Sequence, residues 1–367
     1  MVIPLLAELV RINSVNPSLA PGSPGEAAVA RFIAGSLQHP NISIQLLEPM
    51  AGRLSVVATV KGTGGGRSLM FNGHIDTVAV EGMAEPFSGA VREGRLYGRG
   101  SFDMKGSIAA GMAALLALAE APPRGDVVFA AVADEEYGSL GTMELLRHVR
   151  TNAAIVTEPT ALDVCLAHKG YLWIEVETQG VAAHGSRFEL GVDANMRMGR
   201  FLAKLDLLEQ ELRARRPHPL LGPPSLHAAM LNGGSGLSTY SASCKLQIER
   251  RTIPGETEES VMRELMELVD DSMGATIKSY FVREPFEVSP DAAIVQAAVR
   301  ATRAERGCEP AFIGDTPWMD AALLQAAGLE TVVLGPRGAG AHADEEWVDV
   351  KSVEQLARIL EAIARDH

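Results

Sequence analysis

In the stretch FNGHIDT, His74 and Asp76 lie two residues apart at the end of an apolar run. Two residues apart on a strand means the same face, so both side chains can converge on one point. Further along, GRGSFDMKG places Asp103 in a glycine-punctuated loop before a helix, and VVFAAVADEEYGS ends an apolar run in the doublet Glu135-Glu136. Glu158 follows the next apolar run in VTEPT, and His342 sits in the glycine-rich GPRGAGAHADEEWV. Singly, each has an ordinary explanation: a helix cap, a solvated acidic turn, a surface histidine. Jointly, they put two imidazoles and several carboxylates at the exits of separate strands, where ligand sites of open α/β sheets collect. Imidazole with carboxylate and no thiolate suits zinc, manganese or cobalt. A carboxylate shared between two cations can hold them roughly 3.5–4 Å apart. The acids suffice for such a pair with one carboxylate left over to carry a proton. The doublet poses its own problem, because neighbours on a strand face opposite ways; both can serve one site only if the chain turns as the strand ends.

The elements that would position these residues are readable from periodicity. SVVATV, SLMFNGHI, DVVFAAVA and AAIVTE read as strands, and Glu26–Leu37, Gly106–Ala119 and Leu140–Val149 as helices. Such alternation predicts an α/β domain on a mostly parallel sheet. From Lys169 the order changes to YLWIEVET, a helix over Ala194–Arg213, SLHAAML, SCKLQIER, a helix over Glu256–Met273 and ATIKSYF. That is β-α-β-β-α-β, a split βαβ sandwich. Helices from Asp291, over Met319–Ala327 and from Ser352, with the strand ETVVLG, then resume the first pattern. The chain therefore reads as a discontinuous α/β domain, residues 1–168 and 282–367, interrupted by an inserted domain at 169–281.

Composition narrows the function classes. The 367 residues carry a formal net charge of −13, which argues against nucleic acid or an anionic membrane as partner. No uninterrupted apolar run reads as a membrane span, and MVIPLLAELVRINS lacks a basic leader and reads as an amphipathic helix. Cys165, Cys244 and Cys308 are scattered without CxxC spacing, which fits a reducing cytoplasm rather than a disulfide framework. KGTGGGRS, between two expected strands, reads as a flexible hairpin and not a phosphate loop, since no helix follows it; LNGGSG reads as a loop.

The ordered motifs LVRINSVNP, GHIDTV, GRGSFDMKG, ADEEYGS, TEPT, HKGYLWIEVETQGVAAHGS, IERRTIPGE and LGPRGAGAHADEEWV span nearly the whole chain. Together they resemble peptidase family M20, the metallopeptidases and deacylases that include acetylornithine deacetylase, succinyl-diaminopimelate desuccinylase, aminoacylase and glutamate carboxypeptidase. The resemblance implies a zinc-exopeptidase-like catalytic α/β domain carrying an inserted ferredoxin-like βαββαβ lid that also forms a homodimer. It implies two divalent ions, zinc first with cobalt or manganese as alternatives. Asp103 would bridge them, His74 and Glu158 would complete one site, and Glu136 and His342 the other. Asp76 would stand behind His74 and fix its tautomer. Glu135 would be the general base, taking a proton from the attacking water and returning one to the leaving amine. His184 of VAAHGS resembles a family histidine that reaches the partner subunit's active site and stabilises the oxyanion. Arg251 of IERRTIPGE resembles an arginine that binds the substrate carboxylate.

The chain departs from the family pattern after HGS, where Phe188 and Asp193 replace a usual proline and asparagine, and in GLSTYSASC around Tyr240. The expected activity is hydrolysis of the amide bond in N-acyl amino acids. Exopeptidase or dipeptidase action at the same centre is the alternative. A non-catalytic binding relative would have lost a ligand or the base, and here those positions are filled.

Overall fold

The computed structural model describes residues 2–367 and divides into two compact units: residues 2–166, 288–313 and 319–367, and residues 167–287 with 314–318. The sequence reading placed the insertion at 169–281, without the short return at 314–318.

The first unit is mixed α/β. Its sheet runs in the order Ile42–Leu47, Ser55–Val60, Val127–Val132, Leu69–His74, Ala153–Val156, Glu330–Val333 and Val164–His168. The four strands Val127–Val132, Leu69–His74, Ala153–Val156 and Glu330–Val333 are mutually parallel. Each is an apolar run buried at nearly every position, as a sheet covered on both faces requires. The helix Gly106–Glu120 packs against Val350–Asp366 and Val2–Arg11. By length and composition Ser101–Glu120 could cross a bilayer, but Asp103 and Lys105 interrupt its apolar run and most of the stretch is buried inside the unit.

The hairpin expected at KGTGGGRS does not form. Ser55–Val60 and Leu69–His74 lie on opposite sides of Val127–Val132, so their connection crosses the end of that strand. Gly62 and Gly66 lie so close to the Arg124–Gly125 backbone that a Cβ at either would collide with it. The cluster serves a close backbone approach, a purpose indistinguishable in composition from a turn.

A small antiparallel sheet, Gly338–Ala339, Trp347–Asp349, Arg95–Tyr97 and Ala90–Arg92, escaped the sequence reading because its strands hold only two or three residues. Tyr97 pairs with Trp347. The chain leaves this register toward Asp103 on one strand and arrives from His342 on the other.

The second unit has a four-stranded antiparallel sheet in the order Ser225–Gly233, Ser243–Thr252, Gly170–Gln179, Ala275–Arg283. Gly170–Gln179 alternates strictly: Leu172, Ile174 and Val176 face a core with Met198, Phe201, Leu205 and Val261 from its two helices. The opposite face stacks Tyr171 and Trp173 with Phe281. The helix expected over Glu256–Met273 runs only Glu258–Met266, started by a Thr257–Ser260 capping box. Asp270 then accepts the Ser272 N–H, a local turn that competes with helix continuation. Asp193 caps Ala194–Ala214 through the N–H groups of Asn195 and Met196, and a Cβ on Gly191 would strike the Tyr240 ring. Two of the departures from the family pattern thus have local structural work.

Candidate metal centre

All the chemistry-bearing residues of the first unit meet at the carboxyl ends of its parallel strands. His74 is the last residue of its strand. Its Nε2 lies 3.0 Å from Oδ1 of Asp103 and 3.6 Å from Oε1 of Glu158. The other oxygen of Asp103, Oδ2, lies 3.4 Å from Nε2 of His342, which is 3.1 Å from Oε2 of Glu136. Two ligand groups result, His74–Asp103–Glu158 and Asp103–Glu136–His342, each with its donor atoms within 4.8 Å of one another. Asp103 belongs to both and turns one oxygen to each. The donor set is imidazole and carboxylate throughout, which fits borderline divalent cations.

The electrostatics are those of a place built for positive charge. The carboxylates around His74, Glu158 foremost, hold its pKa well above the ordinary range despite full burial. Hydrogen bonds to Asp103 and Glu136 push His342 up to about 10. Burial, and repulsion from Glu158 and Asp320, raise Glu135 well above a normal glutamate. Burial, with Asp103 and Glu136 adding repulsion, does the same for Glu158. So many mutually repelling carboxylates gathered on two histidines would be stabilised by bound cations.

The doublet's geometry answers its sequence problem. The strand ends at Val132, and Asp134 takes a left-handed conformation (φ 70°) that breaks the alternation. The backbone carbonyl of Asp134 accepts from Gly138, at 3.0 Å, and from Ser139, closing a tight turn. The N–H groups of Glu135 and Glu136 then donate to Oδ1 and Oδ2 of Asp76, at 3.1 and 3.2 Å. One carboxylate thus holds both amides. Glu136 is held by His342, whereas the Glu135 carboxylate makes no hydrogen bond or ion pair among the described residues.

Asp76 differs from expectation in one respect. Nδ1 of His74 meets the Asp76 backbone carbonyl at 3.0 Å, while the carboxylate stands 3.6 Å away. The carboxylate is taken up by the two glutamate amides and by Asn16, whose Nδ2 donates to Oδ2 at 2.8 Å. The carbonyl orients the ring, and the side chain orients the doublet.

Several residues at this centre escaped sequence reasoning. Asn16 also donates to Asp134 and accepts from Arg53, a buried guanidinium that reaches both oxygens of Glu26 and one of Asp134. Asp320, buried and pushed up to about 6 by desolvation, accepts from Thr142 at 2.5 Å and adds repulsion at Glu135. Asn16 lies inside the SVNP stretch, which was its only signal; Arg53 sits in an unremarkable loop.

His184 and Arg251 belong to the second unit. His184 is exposed, and its Nδ1 lies 3.2 Å from the Ser186 N–H and 2.8 Å from Ser186 Oγ. Arg251 lies over the Tyr171 ring at 4.9 Å, with Nε donating to Glu249 at 2.5 Å.

The sequence pattern of peptidase family M20/M25/M40 matches residues 70–366, most of the chain and all five proposed ligands. The chain belongs to this family. It is a metal-dependent hydrolase of amide or peptide bonds. Acetylornithine deacetylase of Proteus mirabilis (strain HI4320) is 28% identical over 380 residues, 98% of this chain and 94% of its own. Aminopeptidase PepT from Bacillus cereus ATCC 10987 superposes with a TM-score of 0.80 at 18% identity, covering 100% of this chain and 97% of that one. The Bacillus subtilis YXEP protein, a dinuclear metal-binding peptidase of the M20 family, gives 0.76 at 15% identity, covering 100% and 97%. At such identities the two structures speak to the M20 fold alone.

Proposed function

We propose that this M20 hydrolase is a deacylase that cleaves the amide bond of N-acyl amino acids at a centre of two divalent ions. The observation that carries the reading is the Asp103 carboxylate, with one oxygen toward His74 and the other toward His342. His74, Asp103 and Glu158 would hold one ion, and Asp103, Glu136 and His342 the other, with zinc first and cobalt or manganese as alternatives. When bound, such ions polarise the scissile carbonyl and acidify water.

The remaining chemistry falls to the chain. Glu135 takes the proton of the attacking water and later delivers it to the leaving amine. Its carboxylate is the one beside the centre that no neighbour holds. Asp76 keeps the doublet's backbone in place. His184, acting from the partner subunit of a homodimer formed through the second unit, would donate a ring N–H to the developing oxyanion. Arg251 would bind the substrate carboxylate as a planar donor. The naming of the Proteus mirabilis relative supports the deacylase reading.

A panel of N-acyl amino acids and dipeptides, assayed with added Zn²⁺, Mn²⁺ and Co²⁺, tests it. Turnover of the N-acyl compounds is expected. Turnover restricted to peptides with a free amino terminus would replace deacylation by exopeptidase action at the same centre. A fully active monomer in sedimentation would remove the role of His184 across subunits.

A further inference from the structure

We propose that Glu346 is the positioning residue that holds the shared ligand Asp103 in register with His342, and this rests on the reading of Asp103 as ligand to both ions. Glu346 is 1% exposed. Its Oε2 accepts from Arg99 Nη1 at 2.8 Å and from the Gly100 N–H at 3.0 Å. Its Oε1 accepts from the N–H groups of Phe102 and Asp103 itself, at 2.9 and 3.0 Å. A carboxylate has about four acceptor positions, and each is filled by a donor from the loop that carries Asp103.

The same side chain is tied to the other ligand by covalent and hydrogen-bonded routes. Glu346 follows His342 in one short loop, and the Gly98 N–H donates to its backbone carbonyl at 3.1 Å. Arg99 extends the clasp through Nη2 to the Ala343 carbonyl, at 3.0 Å, and through Nε to that of Ala79, also 3.0 Å. The antiparallel pairing of Tyr97 with Trp347 fixes where the Asp103 loop begins and the His342 loop ends. Two ligands far apart in the chain are thereby locked to one buried anion. Asp103 faces both ligand groups, so a shift of its backbone displaces an oxygen from each. Glutamine at 346 keeps the shape but turns an NH₂ toward two donors, which no reorientation of the amide relieves.

The expected result is that Glu346→Gln raises the dissociation constants of both ions, by about 10–100-fold as for other outer partners of metal ligands, where Glu136→Gln weakens one ion. Cobalt titration against a competing chelator reads the affinities, and the visible spectrum at saturating cobalt reads the ligand geometry, which is expected to change. Arg250→Met, in the other unit, is a control for lost stability and is expected to leave both readouts alone. Asp103→Asn separates the two inferences. Wild-type cobalt binding in Asp103→Asn would end the shared-ligand reading, whereas loss there with affinities within about twofold and an unaltered spectrum in a folded Glu346→Gln would overturn the clamp alone. If Glu346→Gln does not fold, Glu346→Asp, which keeps the charge but shortens the reach, is read by the same criteria. Failure of both to fold would make Glu346 a requirement of the fold and overturn its positioning role.

Discussion

His342 and Asp103 lie 3.4 Å apart, Nε2 to Oδ2, though they are far apart in the chain. The contact explains why His342, in a glycine-rich loop and with a left-handed backbone (φ 61°), is nonetheless held at the centre. Under the proposed ligand assignment, proton and metal compete for that nitrogen.

Metal loading is therefore expected to release protons. His342 is raised to about 10 and so carries a proton at neutral pH in chelator-treated protein, and the carboxylates around His74 raise it in the same direction. A raised pKa means that the His342 proton contributes stability fully below about pH 6.5, which is lost as pH rises through about 10. Metal affinity runs the other way and climbs with pH over that window, because the ligands must be neutral imidazoles. Calorimetric titration in two buffers of different ionisation enthalpy measures the protons released. Identical heats in both would contradict the ligand assignment.

Glu135 and Glu136 are expected to fail differently on conversion to glutamine. Glu135→Gln retains both ions and loses about 10²–10⁴-fold in kcat, the usual share of a general base. Glu136→Gln loses affinity for one ion first, and added metal restores part of its activity. Metal content and kcat measured on the same preparations check the division. Equal metal loss in the two variants would sink it.

Much of this was legible in the sequence because its signals are local. The long parallel strands announce themselves by continuous apolar runs, and the ends of three of them carry the candidate ligands His74, Glu136 and Glu158. What could not be read depended on partners far away in the chain. Glu346 looks like one of several acids in a solvated loop until Gly100, Phe102 and Asp103 are brought against it. Arg53 has no periodicity to mark it, and Asp76 gave its proximity to His74 but not the two amides that occupy its carboxylate. The small sheet that aligns the Asp103 and His342 loops is too short to leave a pattern.

In the second unit, Arg250 is the largest fully buried side chain; it reaches Glu256 at 2.5 Å and the Arg251 carbonyl at 2.6 Å. Removing one member of such a pair strands the other charge. Arg250→Met is expected to destabilise the protein by about 3–5 kcal/mol, read by denaturant unfolding. A change under about 1 kcal/mol would mean that Glu256 is hydrated in solution.

The network behind the doublet gives the last test. Arg53 bridges Glu26 and Asp134, and Asn16 links Arg53, Asp134 and Asp76, so the Glu135 and Glu136 amides rest on a chain of buried donors and acceptors. Arg53→Met leaves two buried carboxylates without their cation, and a loss of about 3–5 kcal/mol is expected. Asn16→Ala leaves the charges paired but frees one side of Asp76, costing about 1–3 kcal/mol for the unsatisfied group. The two substitutions share partners, so their effects are expected to couple rather than add. Asp76→Asn acts closer to the chemistry, because an amide can accept from only one of the two N–H groups. Its kcat is expected to fall about 10–100-fold with little change in KM, since the doublet, not the substrate contact, is displaced. A rise in KM at constant kcat would place Asp76 in substrate binding and leave the anchoring of Glu135 to the turn at Asp134.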